Sequence, residues 1–252
     1  MILCGLPPRG GTAPPAVIVA SPSRLTIDTT LSREGTSSKT SARRLRSGGT
    51  ARWSPFSMML PKAITVVSEH MHSLFAVEPW IVRADKSKES CILCSLTVRD
   101  FLHEIGFTDA TVRSVATYVD AQHNGERLSR LIIGHPEDDR PVKTTRWRGY
   151  MVCVVPSHNM LIDTTLYQAQ RPAWPELPGT VAVPLIDFSD RPRRWPFVWC
   201  GLQAISAVVM QREDHFARVI WFDRPMNSWR HEADARNTSR RSNVVRQLVR
   251  LY

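Results

Sequence analysis

The chain has 252 residues, a formal net charge of +10, 42% hydrophobic residues and 22% charged residues. This length suits one full-sized domain with tails, and the composition excludes collagen-like, wholly disordered and disulfide-scaffold proteins. No apolar run approaches the roughly 18–20 residues that a membrane helix needs. We therefore expect a cytoplasmic protein that does not cross a membrane.

Residues 1–57 form a basic segment that is rich in Ser, Thr, Pro and Gly, with eight Arg or Lys residues and two acidic residues. The segment lacks helical or strand periodicity, so it is predicted to be disordered and dispensable for stability. It has the Arg and Ser content of a transit peptide, but its prolines favour an extension upstream of the functional product, which would start at Met58 or Met59. Because the basic residues gather in this tail, nucleic acid is not expected as the main partner.

The folded part, residues 58–252, is predicted to begin with helices and to continue with strands. A first helix follows the apolar spacing from Leu60 to Phe75, and a second runs from Cys91 until Gly106 stops it. The predicted strands are Thr111–Val119, Arg127–Ile133, Thr145–Val155, Met160–Asp163, Val181–Ile186, Val198–Met210 and Phe216–Phe222. A last helix, Ser239–Leu251, is capped by Asn237 or Thr238. This order predicts the α+β class, with N-terminal helices packed on an antiparallel sheet.

The five cysteines are odd in number and irregularly spaced, which excludes a disulfide framework. Cys91 and Cys94 form a lone CxxC without a second ligand pair, so we predict neither zinc nor another cofactor. Cys91 directly follows Ser90, the predicted N-cap. The helix start there favours the thiolate, and we expect Cys91 to be the most reactive thiol while burial keeps Cys94 inert. The alternative is that both cysteines are small core residues.

A predicted hairpin brings two further polar residues together. Its first strand ends at Val155 and its second strand is Met160–Asp163. If the turn centres near His158, Asp163 and Tyr150 become diagonal neighbours on one face of the hairpin. Asp163 is therefore placed to orient the side chain at position 150.

A helix-initial cysteine, a glycine fifteen residues later and a strand hairpin that ends in Asp-x-Thr resemble the transglutaminase-like branch of the papain-like cysteine superfamily. In this sequence the motif residues are Cys91, Gly106 and Asp163-Thr164-Thr165. The resemblance covers about residues 88–170 and implies a papain-like, transglutaminase-like core. It also implies that Cys91 is the nucleophile and Asp163 the third member of the triad, with Tyr150 at the position of the catalytic histidine.

Tyrosine at that position affects the chemistry, because its phenol has a pKa near 10 and does not readily accept a thiol proton at neutral pH. Two histidines are predicted to lie too far away to replace it, His103 within the second helix and His158 in the hairpin turn. His123 and His135 lie in polar loops beside a strand, so folding could bring either of them near the site.

These residues predict a cysteine-dependent hydrolase or acyl transferase that acts on amide or thioester bonds of a protein or small molecule and is impaired by Tyr150. The alternative is a non-catalytic binding module of the same fold. His70 and His72 are expected on a solvated flank of the first helix. The tryptophans of the C-terminal half indicate core and edge packing rather than a platform for nucleic-acid bases.

Overall fold

Helices pack against one side of a curled sheet in the structure, which is a computed structural model. It describes residues 17–19, 55–134, 147–172, 174, 176–186, 198–212 and 215–252. The predicted α+β class, with helices packed on an antiparallel sheet, is confirmed. The disorder predicted for residues 1–57 falls mostly outside the described residues. The composition did not indicate the short strand Val17–Val19, or a first helix that begins at Pro55.

The helices of the described ranges are α1 (Pro55–Ala76), α2 (Cys91–Glu104), α3 (Ala233–Arg236) and α4 (Ser239–Leu251). α2 ends as predicted, because Gly106 has a φ of +103° and the Phe107 N–H donates to the Leu102 carbonyl over 2.8 Å. Thr238 occupies the N-cap position of α4 without a side-chain bond. None of these helices is both long and apolar enough to cross a membrane.

The strands of the described ranges are β1 (Val17–Val19), β2 (Thr111–His123), β3 (Glu126–Ile133), β4 (Tyr150–Val155), β5 (Met160–Asp163), β6 (Thr180–Pro184), β7 (Val198–Trp199), β8 (Leu202–Arg212) and β9 (His215–Asp223). They follow one another in the sheet in the order β1-β6-β5-β4-β2-β9-β8-β7, and β3 also pairs with β2. β1 pairs with β6 in parallel, and the other described pairs are antiparallel.

The sheet curls until β6 meets β8. The Ile186 N–H donates to the Ile205 carbonyl over 2.8 Å, and the Ser206 hydroxyl donates to the Pro184 carbonyl over 2.7 Å. Side chains alternate along each strand, so one set faces the inside of the curl and the other faces the helices. Val154 and Tyr150 belong to the apolar cluster inside the curl, which we call the inner core. Val155, the next residue along β4, belongs to a second cluster with residues of α1, α2 and α4.

The predicted strand Val198–Met210 is wrong in one respect, because a tight turn at Cys200 and Gly201 divides it into β7 and β8. Both residues have positive φ, 48° and 77°, as in the two-residue turns that match strand twist. The turn was missed because a single glycine lies within an otherwise apolar, aromatic run. Cys200 is consequently an exposed turn residue and not a buried strand residue.

Candidate functional site

The β4–β5 hairpin brings Tyr150 and Asp163 together. The observed register pairs Cys153 with Ile162, and its continuation sets Asp163 opposite Val152, two residues from Tyr150. The Tyr150 hydroxyl donates to Asp163 Oδ1 over 2.8 Å, and both side chains are fully buried. The predicted juxtaposition of these two residues is confirmed.

Asp163 accepts further hydrogen bonds from two residues that sequence reasoning did not place in the site. The Thr165 N–H donates to Oδ1, and the Trp221 indole N–H donates to Oδ2, each over 2.9 Å. The Thr165 hydroxyl also donates to the Tyr150 oxygen over 3.1 Å. The Asp-x-Thr motif contained a signal for Thr165, since such a threonine can bond back to the aspartate. The sequence contained no comparable signal for Trp221, because its position on β9 indicates only that it packs in the core.

The electrostatics of this cluster leave Tyr150 as a neutral phenol. Burial raises the pKa of Asp163 to about 6, although the hydrogen bonds from Thr165, Tyr150 and Trp221 act in the opposite direction. Burial, and then the charge of Asp163, raise the pKa of Tyr150 well above its usual value. Tyr150 therefore cannot take up a proton at neutral pH, and it serves Asp163 as a hydrogen-bond donor.

Cys91 is the first residue of α2, and Ser90 caps the helix by accepting a hydrogen bond from the Leu93 N–H, as predicted. The cysteine side chain packs in the inner core with Tyr150, and only 7% of the residue is exposed. Its thiol also feels the charge of Asp163. The three predicted site residues therefore lie in one buried cluster.

The start of the helix lowers the pKa of the Cys91 thiol, as predicted, but the expected net preference for the thiolate is wrong because burial outweighs this effect. Burial raises the pKa of this thiol to about 12, and the negative charge of Asp163 adds to the rise. Backbone hydrogen bonds from Met151 and from the first turn of the helix lower the pKa, but by less than burial raises it. Cys94 is fully buried with its pKa well above the usual value, as predicted. The exposed thiol among the described cysteines is Cys200.

The other candidate bases lie away from Tyr150. His103 bonds to the Ala110 carbonyl, and His158 contacts Ser157 and the ring of Phe107. His123 lies eight residues beyond Val115, the β2 partner of Tyr150, which corresponds to about 26 Å along the strand. The ring of His123 stacks on His215 with centroids 4.3 Å apart. His135 lies outside the described residues.

His72 is not on a solvated helix flank, contrary to the prediction. Its Nε2 lies 2.9 Å from the Thr164 carbonyl, and its Nδ1 lies 3.0 Å from the Ser87 hydroxyl. Because a carbonyl only accepts, Nε2 carries the proton and Nδ1 accepts from Ser87. Burial lowers the pKa of His72 to about 4, and the charge of Lys88 lowers it further against the opposing effect of Thr164. His72 thereby holds the loop that follows Asp163.

We expect the variant His72→Gln to change how stability depends on pH. The native pKa of about 4 lies below the ordinary 6.5, so acidification from pH 7 to pH 4 protonates the unfolded chain first. The wild type should therefore lose about 3 kcal/mol of stability over this range through His72, and the variant should not. Urea denaturation at several pH values measures the difference. His70→Gln on the same helix, with a side chain 41% exposed, is the matched control. Parallel pH curves for His72→Gln and wild type would contradict the burial of a neutral imidazole.

Within the part of the chain that the structure describes, no group of three or more His, Cys, Asp or Glu residues could hold a metal ion. No protein-family model matches the chain, and neither curated proteins nor solved structures give a match.

Proposed function

We propose that this protein is a non-catalytic member of the transglutaminase-like branch of the papain-like cysteine superfamily and acts as a binding module. The observation that carries the proposal is the bond from the Tyr150 hydroxyl to Asp163. In a working site of this kind, an imidazole at position 150 would take the thiol proton while the carboxylate oriented the ring. Here a phenol donates to the carboxylate and has no capacity to act as the base.

The state of the thiol supports the same proposal. Cysteine chemistry needs the thiolate, and a pKa of about 12 leaves about one thiol in 10⁵ ionised at pH 7. Nucleophile and base are therefore both absent in functional form, although Cys91, Tyr150 and Asp163 lie in one buried cluster. We propose as its ligand class the one that the family resemblance implies, an amide or thioester of a protein or small molecule.

The proposal predicts that acyl chemistry does not depend on Cys91. Hydrolysis of a simple thioester by the full chain, followed at pH 7, should be the same within about twofold for wild type and Cys91→Ala, because a thiol this weakly ionised contributes no measurable attack. Cys94→Ala is the matched control, since it removes a buried thiol one turn further along the same helix. Turnover by the wild type that disappears in Cys91→Ala and persists in Cys94→Ala would make the protein an enzyme.

A further inference from the structure

The segment Ser228–Arg236, which we call the C-terminal strap, joins the two elements that carry the site. It consists of a 3₁₀ turn, Ser228–His231, followed by α3, and it connects β9 to α4. It bonds to the beginning of α2 and to the backbone just before β4. These are the elements that supply Cys91 and Tyr150.

The contact with α2 is made by Asp234. Its Oδ2 accepts from the Ser90 hydroxyl over 2.6 Å, and Ser90 is the N-cap that directly precedes Cys91. Its Oδ1 accepts from Arg240 Nη1 over 2.7 Å, and Arg241 donates to the Asp234 carbonyl. The Asp234 carboxylate therefore links α4, through Arg240, to the start of α2, through Ser90.

The contact with β4 is made by Glu232. Its carboxylate accepts from the Trp147 N–H over 2.7 Å, three residues before Tyr150. The Trp147 indole covers Gly149, because a Cβ at that glycine would lie 2.1 Å from the ring. Glu232 thus fixes the backbone of Trp147, whose indole lies against Gly149 just before β4.

Apolar contacts complete the strap. Trp229 is 9% exposed and belongs to the inner core together with Cys91 and Tyr150, and Ala235 packs against the same cluster. The strap therefore has a buried aromatic anchor, followed along the chain by two carboxylates, of which one bonds just before β4 and the other at the start of α2. With the strap in place, Cys91 and Tyr150 of this cluster are 7% and 0% exposed.

We propose that the C-terminal strap is a closing element that governs access to Cys91. Release of the Asp234–Ser90 and Glu232–Trp147 bonds uncovers the thiol, and their formation closes the site around it. The inference rests on the proposed function only in taking Cys91, Tyr150 and Asp163 as the binding site. It concerns entry to that site and is independent of whether Cys91 reacts with a substrate.

The test is alkylation of the full chain by iodoacetamide at pH 8.5, with each cysteine followed by mass spectrometry. The double variant Glu232→Ala, Asp234→Ala should label at Cys91 at least about tenfold faster than the wild type, which corresponds to about 1.4 kcal/mol of closure. Cys153 should stay slow, because it packs among the helices and not with the strap. Cys94 is not a control here, because burial and then nearby charges, that of Asp234 among them, raise the pKa of its thiol. Asp223→Ala is the control, since this carboxylate at the end of β9, ahead of the strap, forms a 4.0 Å ion pair with Arg113.

Two results would overturn the proposal. One is an unchanged Cys91 rate in the folded double variant, and the other is a common rise at Cys91 and Cys153, which would mean general loosening. If the double variant does not fold, hydrogen exchange of the wild type decides. Strap amides should exchange at least about tenfold faster than α2 amides if the strap opens by itself. Equal protection of the strap and α2 amides would contradict the proposal. Neither result affects the test of the proposed function, which compares thioester hydrolysis by the wild type and by Cys91→Ala.

Discussion

Replacing Tyr150 by histidine is expected to raise the alkylation rate of Cys91 at pH 6–7 by about tenfold or more. An imidazole at this position has a pKa near 6.5, suited to accepting the thiol proton, and Asp163 is already placed to hold the ring. The thiolate and imidazolium then stabilise each other, which offsets part of the burial that holds the thiol pKa near 12. Tenfold corresponds to about 1.4 kcal/mol in favour of the ion pair.

Alkylation rates measured against pH for folded proteins would check this result. The gain should largely vanish in the double variant Tyr150→His, Asp163→Ala, because the ring then loses its orienting partner. Tyr118→His is the matched control, since Tyr118 lies on β2 in a separate cluster with Ile220. An unchanged pH profile for Tyr150→His would show that position 150 does not serve Cys91, and the family resemblance at this residue would have to be withdrawn.

A second large effect is expected for Asp163→Ala, which should lower the free energy of unfolding by about 3 kcal/mol at pH 7. The substitution leaves the Tyr150 hydroxyl, the Trp221 indole N–H and the Thr165 N–H without their acceptor in a buried site. The loss should be about 2 kcal/mol greater at pH 4. The native pKa of about 6 lies above the ordinary 3.8, so the wild type gains stability as the pH falls through this window.

Asp120→Ala is the informative comparison for Asp163→Ala, because both carboxylates are fully buried. Asp120 is bonded by Arg127 and Arg218, whose side chains are 48% and 38% exposed. When the carboxylate is removed, these arginines can turn to water, so the expected loss is only about 1 kcal/mol. Urea denaturation of both variants measures the contrast. Equal losses would mean that burial of the carboxylate, and not the isolation of its partners, sets the cost.

The sequence was sufficient where neighbouring residues determine the structure. The spacing along α2 and the capping serine placed Cys91 at the first helical position, and hairpin register alone brought Asp163 to Tyr150. The bounds of β5 and α4 agree with the predicted ones for the same reason, since an alternating or helical pattern and its turn residues lie within a few positions. The transglutaminase-like relationship itself stays a proposal.

The sequence was insufficient where distant segments meet. The residues around His72 do not predict its contact with Thr164, and those around Asp234 do not predict its bond with Ser90, because these partners meet only in the folded protein. The pKa of the Cys91 thiol could not be predicted from the sequence for the same reason. The helix start is visible in the sequence, but the burial that outweighs it comes from strands that follow later in the chain.

The bonds that complete the site also determine when it can assemble during synthesis. Trp221 is 58 residues from Asp163, and Asp234 is 144 residues from Ser90. Long loops must close before contacts of this sequence separation contribute to stability. In a nascent chain that still lacks β9 and the strap, Asp163 has no hydrogen bond from Trp221, and Ser90 at the start of α2 has no bond to Asp234. These contacts can therefore form only after β9 and the strap have been synthesised.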